Sequence, residues 1–142
     1  MKKVLLVAFV FICIVGCSFG GKTAVEGQAV FSDKGKEWSA EYIYDHKLYQ
    51  ERKTNWVRLG PKSIKITPEQ LKYITVELQT GEGDTVTGNV KAMVNKLDDK
   101  DNTVSFLVGT LNDRTYKEDV FKMKIIYKNE EEVLNLKLAE NK

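Results

Sequence analysis

The chain has 142 residues, of which 42% are hydrophobic and 30% are charged, with 22 basic and 20 acidic residues. Lysine and glutamate alternate along it and form no concentrated basic face. This excludes an ordinary nucleic-acid-binding domain, whose affinity depends on such a face. Both cysteines, Cys13 and Cys17, lie near the start, so the rest of the chain must be stabilised by an apolar core without disulfides.

The first segment has the pattern of a cleaved export signal. Lys2 and Lys3 precede an unbroken apolar run over residues 4–15, which is shorter than the ~20 apolar residues that a membrane span needs. Gly16 then supplies a small residue before Cys17. We expect residues 1–16 to be removed, and the loss of Lys2 and Lys3 reduces the 22 basic residues to 20, equal to the 20 acidic ones.

The sequence Ile14, Val15, Gly16 and Cys17 resembles the lipobox of bacterial lipoproteins. The resemblance implies a diacylglyceryl group on the sulfur of Cys17, a mature chain that begins there, and attachment to the extracytoplasmic face of the cell membrane. Two acyl chains on one residue give lasting attachment, because each buried methylene contributes ~0.8 kcal/mol. The alternative is conventional secretory cleavage, which would release a protein with an incidental cysteine.

Residues 17–35 have the composition of a flexible tether that follows the lipidated N-terminus. Glycines recur in the segment, and its polar residues show little periodicity. A flexible segment of this length spans ~20 to 25 Å, enough to hold a small domain away from the lipid headgroups. Residues 29–31 could also add a short edge strand.

From residue 36 onward the dominant hydrophobic period is two, which is typical of half-buried strands. Trp38, Ala40, Tyr42 and Tyr44 share one face of the first such strand, so we expect them in the core. Further alternation predicts strands within residues 64–66, 74–78, 86–97 and 103–111.

One helical turn is specified between two of these segments. Thr67 can cap it, Gln70 can reach back to the cap, and Pro68 suits the first helical position. Ile66 can pack on Leu71 across the cap. Because a β-rich segment follows at once, we expect a helix of only one or two turns.

The last two strands predict a hairpin with one dry face. A two-residue turn at Asn129 and Glu130 would place apolar residues opposite one another, with polar residues on the other face. The pairs predicted by this register are Ile125 with Leu134, Met123 with Leu136 and Phe121 with Leu138.

These elements predict an all-β domain of about seven or eight antiparallel strands with one short helical corner, either a sandwich or a small barrel. Glu37 and Trp38 at the first strand, the glycine-rich turn at residues 80–84 and the pattern of residues 123–138 resemble small surface lipoproteins of Gram-positive bacteria. The resemblance implies an immunoglobulin-like β-sandwich over residues 36–142. Most members of that group have no assigned function.

No catalytic, cofactor or metal site is expected. His46 is the only histidine, and no Gly-x-Ser-x-Gly turn supplies a nucleophile, so we interpret His46 as a solvated loop residue. One histidine without a free thiol gives too few ligands for zinc or copper. No glycine-rich phosphate loop has the required spacing.

Two acidic clusters have alternative interpretations. Asp98, Asp99, Asp101 and Asn102 are expected to form a solvated turn, and the alternative is a weak calcium site that lacks the central glycine and distal glutamate of a calcium loop. Residues 130–132, all glutamates, are expected to form a charged hairpin tip.

Trp56 and Arg58 are the candidate partner contacts. If Val57 and Leu59 face inward, then Trp56 and Arg58 face outward together, and an exposed indole beside a guanidinium suits recognition of a protein or glycan. The inverse assignment, with Trp56 buried and Val57 exposed, fits the alternation equally well.

The function expected from these features is that of a lipid-anchored, noncatalytic binding module on the outer face of the cell membrane. Its partner would be an extracellular protein or a wall polymer, bound through loops or a sheet face. The alternatives are an envelope enzyme that uses carboxylates and an accessory subunit of an envelope complex.

Overall fold

A computed structural model of the chain describes residues 21–80, 83–109 and 114–142. The described residues form an antiparallel all-β fold, which confirms the predicted class. The predicted leader (residues 1–16) and Cys17 lie outside them. The strands are β1 (Gln28–Lys34), β2 (Trp38–Asp45), β3 (Thr54–Pro61), β4 (Ile74–Gln79), β5 (Thr85–Asn89), β6 (Asn95–Asp98), β7 (Thr103–Gly109), β8 (Phe121–Tyr127) and β9 (Glu130–Asn141).

The nine strands form one sheet with the order β5-β4-β8-β9-β1-β2-β3-β7-β6. Every neighbouring pair is antiparallel. β5 and β6 are the two edges of the sheet, yet only residues 90–94 join them. Because so short a connection cannot cross a flat sheet of this width, the sheet must curl until its edges approach each other.

The curl brings distant strands into contact and encloses the core. Tyr42 on β2 and Phe121 on β8 are separated in the sheet by β1 and β9, which in a flat sheet would place them ~14 Å apart. Their ring centroids are 4.4 Å apart. A register shift between Val30 and Phe31, where β1 pairs with β9, marks the bend.

The predicted inward face of β2 is confirmed, because Trp38, Ala40, Tyr42 and Tyr44 are all buried. β1 lies within residues 17–35, the segment whose composition predicts a tether. It is an internal strand, paired with β2 on one side and β9 on the other, and not the edge strand that the sequence allowed.

The β8–β9 hairpin and its dry face are confirmed, but the predicted register is wrong by two residues. The turn consists of Lys128 and Asn129, with φ of 48° and 71°, and so precedes the predicted position by one residue. Because side chains alternate with a period of two, a shift of two residues leaves the inward face unchanged. The observed pairs are Phe121 with Leu136, Met123 with Leu134 and Ile125 with Glu132.

The predicted helical corner is a 3-10 helix over Gln70–Tyr73. It begins later than expected: Glu69 precedes it without a side-chain cap, and the carbonyl of Thr67 accepts the N–H of Gln70 at 3.0 Å. Ile66 and Leu71 are both buried.

A further helix, α1 (His46–Arg52), joins β2 to β3 and was not predicted. Asp45 caps it, since Oδ1 accepts the N–H groups of Lys47 at 2.9 Å and Leu48 at 3.1 Å. Lys53 ends it in the left-handed conformation, with φ of 55°. A short 3-10 helix, Val90–Ala92, follows β5.

Candidate functional site

β3 places Trp56 and Arg58 on the outer face of the sheet. Val57 and Leu59 have 0% exposure and point into the core, so the alternative with Val57 exposed is excluded. Trp56 is half-buried and Arg58 is exposed. The geometry therefore brings the two candidate residues together on one solvent-facing surface.

Trp56 belongs to a row of apolar side chains that crosses four strands of this outer face and ends beside a fifth. Trp56 lies opposite Ile43 on β2 and Leu107 on β7, and Ile43 lies opposite Val30 on β1. The carbonyl of Val94, just before β6, accepts the N–H of Leu107 at 3.0 Å and extends the row. We call these residues the outer apolar row: Val30, Ile43, Trp56, Leu107 and Val94.

The outer apolar row is ~19 Å long, from four strand spacings. Val94 is 68% exposed, and the other four members are half-buried. Sequence alternation identified Trp56 but not the row, because the row depends on strand order and register.

The adjacent row on the same face is polar. Arg58 lies opposite Glu41 and Ser105, and its Nη1 donates to Oε2 of Glu41 at 3.0 Å. Asp98 and Asp101 line a pocket of about 240 Å³ beside this ion pair. Arg58, two residues beyond Trp56 on the same face of β3, therefore has a carboxylate partner of its own.

A second concave surface lies where β1 and β8 end and where β2 and β9 begin. This pocket, of about 250 Å³, we call the distal pocket. Trp38 and Tyr127 contribute aromatic surface to it, with ring centroids 5.9 Å apart in an edge-to-face arrangement. Its lining residues are Glu37, Trp38, Pro61, Ser63, Ile64, Tyr127, Glu130, Glu131 and Glu132.

Glu132 is a structural member of the distal pocket. Its carboxylate accepts the backbone N–H groups of Trp38 at 2.8 Å and Glu37 at 3.1 Å, and also that of Lys36. The predicted charged tip therefore includes one acid that holds the β1–β2 turn. No sequence pattern predicts this contact, because its partners lie about a hundred residues away in the chain.

The other acids of the distal pocket are less constrained. Glu37 accepts a hydrogen bond from Oγ of Ser63 at 2.6 Å. The ion pairs among the described residues involve none of Glu37, Glu130 and Glu131. These carboxylates are available to a ligand.

His46 is not a loop residue as predicted, since it begins α1. Its Nδ1 and the hydroxyl of Tyr44 lie 3.0 Å apart, beside a cavity of about 460 Å³ that Arg114 and Thr115 also line. Tyr44 is only 2% exposed, and burial raises the pKa of its hydroxyl. The histidine is therefore paired with a neutral phenol. Among the hydrogen bonds of the described residues, none joins a serine to His46.

The predicted turn at residues 98–102 is confirmed as the β6–β7 connection. Asp98 Oδ1 accepts the N–H groups of Lys100 at 3.0 Å and Asp101 at 3.3 Å. Asn102 Nδ2 donates to the carbonyl of Ile64 at 2.8 Å, and its Oδ1 accepts the N–H of Ile66 at 2.8 Å. Across residues 21–80, 83–109 and 114–142, no group of three or more histidines, cysteines or acids could hold a metal ion.

Comparison with known proteins found no protein-family model, no curated protein and no solved structure that matches this chain. Within the described part of the chain, no helix combines the length and hydropathy needed to cross a membrane.

Proposed function

We propose that the protein is a lipid-anchored, noncatalytic binding module of the cell envelope. In this proposal residues 1–16 direct export and are removed, and Cys17 carries the lipid that holds the chain on the extracytoplasmic face of the cell membrane. The lipobox-like sequence that ends in Cys17 supports the anchor.

We further propose that the curled sheet is an immunoglobulin-like sandwich, as in the small surface lipoproteins of Gram-positive bacteria. The contact between Tyr42 and Phe121, across the width of two intervening strands, supports two packed layers. Sandwiches of this kind present sheet faces and loops to partners.

The outer apolar row is the observation that carries the binding function. An outer sheet face that only meets water is ordinarily polar, as the neighbouring row with Glu41 and Arg58 is. A continuous apolar row on such a face is covered in the bound state of many interaction proteins.

The chemistry of the row favours an extracellular protein as the partner. Trp and Arg are the side chains most enriched among residues that dominate the energy of protein interfaces. Trp56 supplies the apolar anchor at the centre of the row, and Arg58 with Glu41 supplies polar contacts at its rim.

The outer apolar row also fits the alternative of an accessory subunit, because such a subunit is expected to expose an apolar surface to its complex. It differs in requiring a constitutive complex. The alternative of a carboxylate-dependent envelope enzyme has no comparable observation in its favour among the described residues.

The binding function is tested by crosslinking in intact cells, followed by mass spectrometry of the proteins captured with the full chain. Trp56→Thr removes the centre of the row and retains a good strand former. Val133→Thr is the matched control, because Val133 is 45% exposed and lies on β9, away from the row. We expect one protein partner to be lost with Trp56→Thr and kept with Val133→Thr, with both variants folded by circular dichroism.

Capture that is equal in both variants would contradict the proposed surface. Co-purification of wall glycan that depends on Trp56, without a protein, would assign the row to a polymer. A partner that stays in fixed stoichiometry through membrane solubilisation would favour the accessory subunit.

The anchor is tested separately with Cys17→Ala. We expect this change to abolish incorporation of labelled fatty acid and to release the protein from membranes or leave its leader uncleaved. Membrane retention with a cleaved leader would refute the anchor without affecting the binding surface.

A further inference from the structure

We propose that the distal pocket is a second binding site, which takes a cationic group on an aliphatic stem, as in a lysine or arginine side chain of a peptide. The site is separate from the outer apolar row and does not depend on the function proposed for it. Its evidence is a cavity that combines an apolar wall with carboxylates that form no ion pair among the described residues.

The apolar wall suits an aliphatic stem. Trp38, Pro61, Ile64 and Tyr127 line one part of the cavity. Tyr127 is fixed in place, since its hydroxyl donates to Oε1 of Gln70 at 2.6 Å and its ring packs edge-to-face against Trp38. The volume of about 250 Å³ lies below the ~300 to 1,000 Å³ of ordinary ligand pockets and so favours a small group over a whole drug-sized ligand.

The rim suits a cation. Four glutamates line the cavity, at positions 37, 130, 131 and 132, and none of the described residues that line it is basic. Lysines lie nearby, but none forms an ion pair with these glutamates among the described residues. Nζ of Lys62 donates to the carbonyl of Gly35, Nζ of Lys128 lies 5.2 Å from the ring centroid of Tyr127, and Lys124 interacts electrostatically with Glu131 while it pairs with Glu77. A positive ligand would therefore meet a rim lined by carboxylates that have no ion-pair partner among the described residues.

The four acids divide into two roles. Glu132 is engaged by backbone N–H groups of the β1–β2 turn, so it shapes the cavity. Glu37, with a single hydroxyl donor, and Glu130 and Glu131 remain to accept charge-assisted hydrogen bonds from a ligand. Lys128 over Tyr127 shows that a cation already lies against one aromatic wall.

The cavity favours an organic cation over a metal ion. A divalent cation needs several oxygens within ~2.6 Å of one point, and among the described residues no such group of acids converges. An ammonium or guanidinium on a stem needs one or two carboxylates and an apolar wall, which is what the pocket supplies.

The position of the pocket leaves it accessible. The described chain enters β1 at Gln28, and shortly before this strand Ala24 forms an isolated β-bridge with Tyr116. The pocket lies at the other end of β1, which at ~3.3 Å per residue is ~23 Å away.

The experiment is titration of the purified full chain in detergent, followed by NMR of the Trp38 indole N–H, with Trp56→Phe to assign the signal. The probes are acetylated tripeptide amides of the form Gly-X-Gly, in which X is lysine, arginine or norleucine, and n-butylamine. We expect saturable shifts of the Trp38 signal with lysine and arginine, and at least tenfold weaker binding of the norleucine peptide. Saturable binding of butylamine as tight as that of the lysine peptide would assign the site to alkylammonium groups in general.

Rim variants test the role of the carboxylates. Glu37→Gln and Glu131→Gln should each weaken the lysine peptide about two- to fivefold. Glu51→Gln on α1 makes the same charge change at an exposed position outside the pocket and should leave the affinity unchanged. Equal binding of norleucine and lysine, equal loss in Glu51→Gln, or no shift of Trp38 would overturn the proposal, and Trp56→Thr should leave binding here unaltered even if the outer row fails its own test.

Discussion

The carboxylate of Glu132 accepts the backbone N–H of Trp38 at 2.8 Å and so joins the start of β9 to the start of β2. The same carboxylate also accepts the N–H groups of Lys36 and Glu37. Three donors of one turn therefore converge on a single side chain from the opposite half of the sheet. The β1–β2 turn and the wall of the distal pocket both depend on it.

Glu132→Ala should lower the free energy of unfolding by about 1 to 3 kcal/mol, because it leaves charge-assisted backbone donors of a half-buried turn without their acceptor. Urea denaturation followed by circular dichroism measures the change. Glu131→Ala, one residue earlier and without such contacts, should stay within about 0.5 kcal/mol of the wild type. Equal stability of the two variants would show that water replaces the carboxylate at no cost.

The β8–β9 turn should be sensitive to β-branching at its first residue. Lys128 has φ of 48°, in a region where β-branched residues are strained. Lys128→Val should therefore destabilise the protein by about 1 to 2 kcal/mol, whereas Lys128→Asn should be neutral or stabilising, since asparagine tolerates this conformation and favours such turns. Thermal unfolding of both variants is the measurement. A valine variant as stable as the asparagine variant would mean that the hairpin adopts another turn.

This hairpin shows how much of the fold the sequence could predict. The alternation from Phe121 to Leu138 determines which side chains face the core, and that prediction is confirmed. The register depended on which two residues form the turn with a left-handed backbone conformation. Lysine is not a residue type favoured in such turns, so the sequence did not point to Lys128. The error of two residues left the faces intact and moved only the pairings.

The candidate site shows the same limit. Alternation with Val57 and Leu59 places Trp56 and Arg58 together on one face of the strand. It does not decide whether that face is the outer or the inner one. The outer apolar row and the distal pocket require strand order. Trp38 and Tyr127, for example, are 89 positions apart in the sequence by their numbers and meet only because the sheet curls. Aspartate is a residue type that caps helices, but Asp45 ends an alternating, strand-like segment, and no helix was predicted after it.

Asn55→Ala should be among the more damaging polar substitutions in the described core. Asn55 has 0% exposure, its Nδ2 donates to the hydroxyl of Tyr42 at 2.9 Å, and its Oδ1 accepts the N–H of Asp45 at 3.1 Å. Burial raises the pKa of Tyr42 well above its usual range, although the hydrogen bond from Asn55 lowers it, so the phenol stays neutral and needs its partner.

Loss of these bonds should cost about 2 to 3 kcal/mol in the free energy of unfolding, because the buried hydroxyl of Tyr42 and the half-buried N–H of Asp45 both lose a partner. Chemical denaturation compares this variant with Asn135→Ala, an exposed position on β9 where the side chain should contribute little. A loss below about 0.5 kcal/mol for Asn55→Ala would show that water enters the site.

Asp45 should give the protein an acid-sensitive component of stability. The hydrogen bond from Nε2 of Gln28, at 2.8 Å, and the N–H groups of Leu48 and Lys47 hold the pKa of Asp45 below its ordinary value. A carboxyl group whose pKa is lowered by folding stabilises the protein above its unfolded pKa, near 4, and loses that contribution as the pH falls through the folded pKa. At pH 7 Asp45→Ala should therefore cost about 1 kcal/mol, the usual cost of removing an N-cap.

Urea unfolding at pH 7 and at pH 2 tests this, because the gap between the wild type and Asp45→Ala should narrow at pH 2. Asp45→Asn is the control that retains a capping oxygen without the charge, so its stability at pH 7 should lie between those of the other two proteins, and its gap to the wild type should close at pH 2. A gap between the wild type and Asp45→Asn that is the same at both pH values would show that the ionised form of Asp45 contributes nothing to the α1 cap.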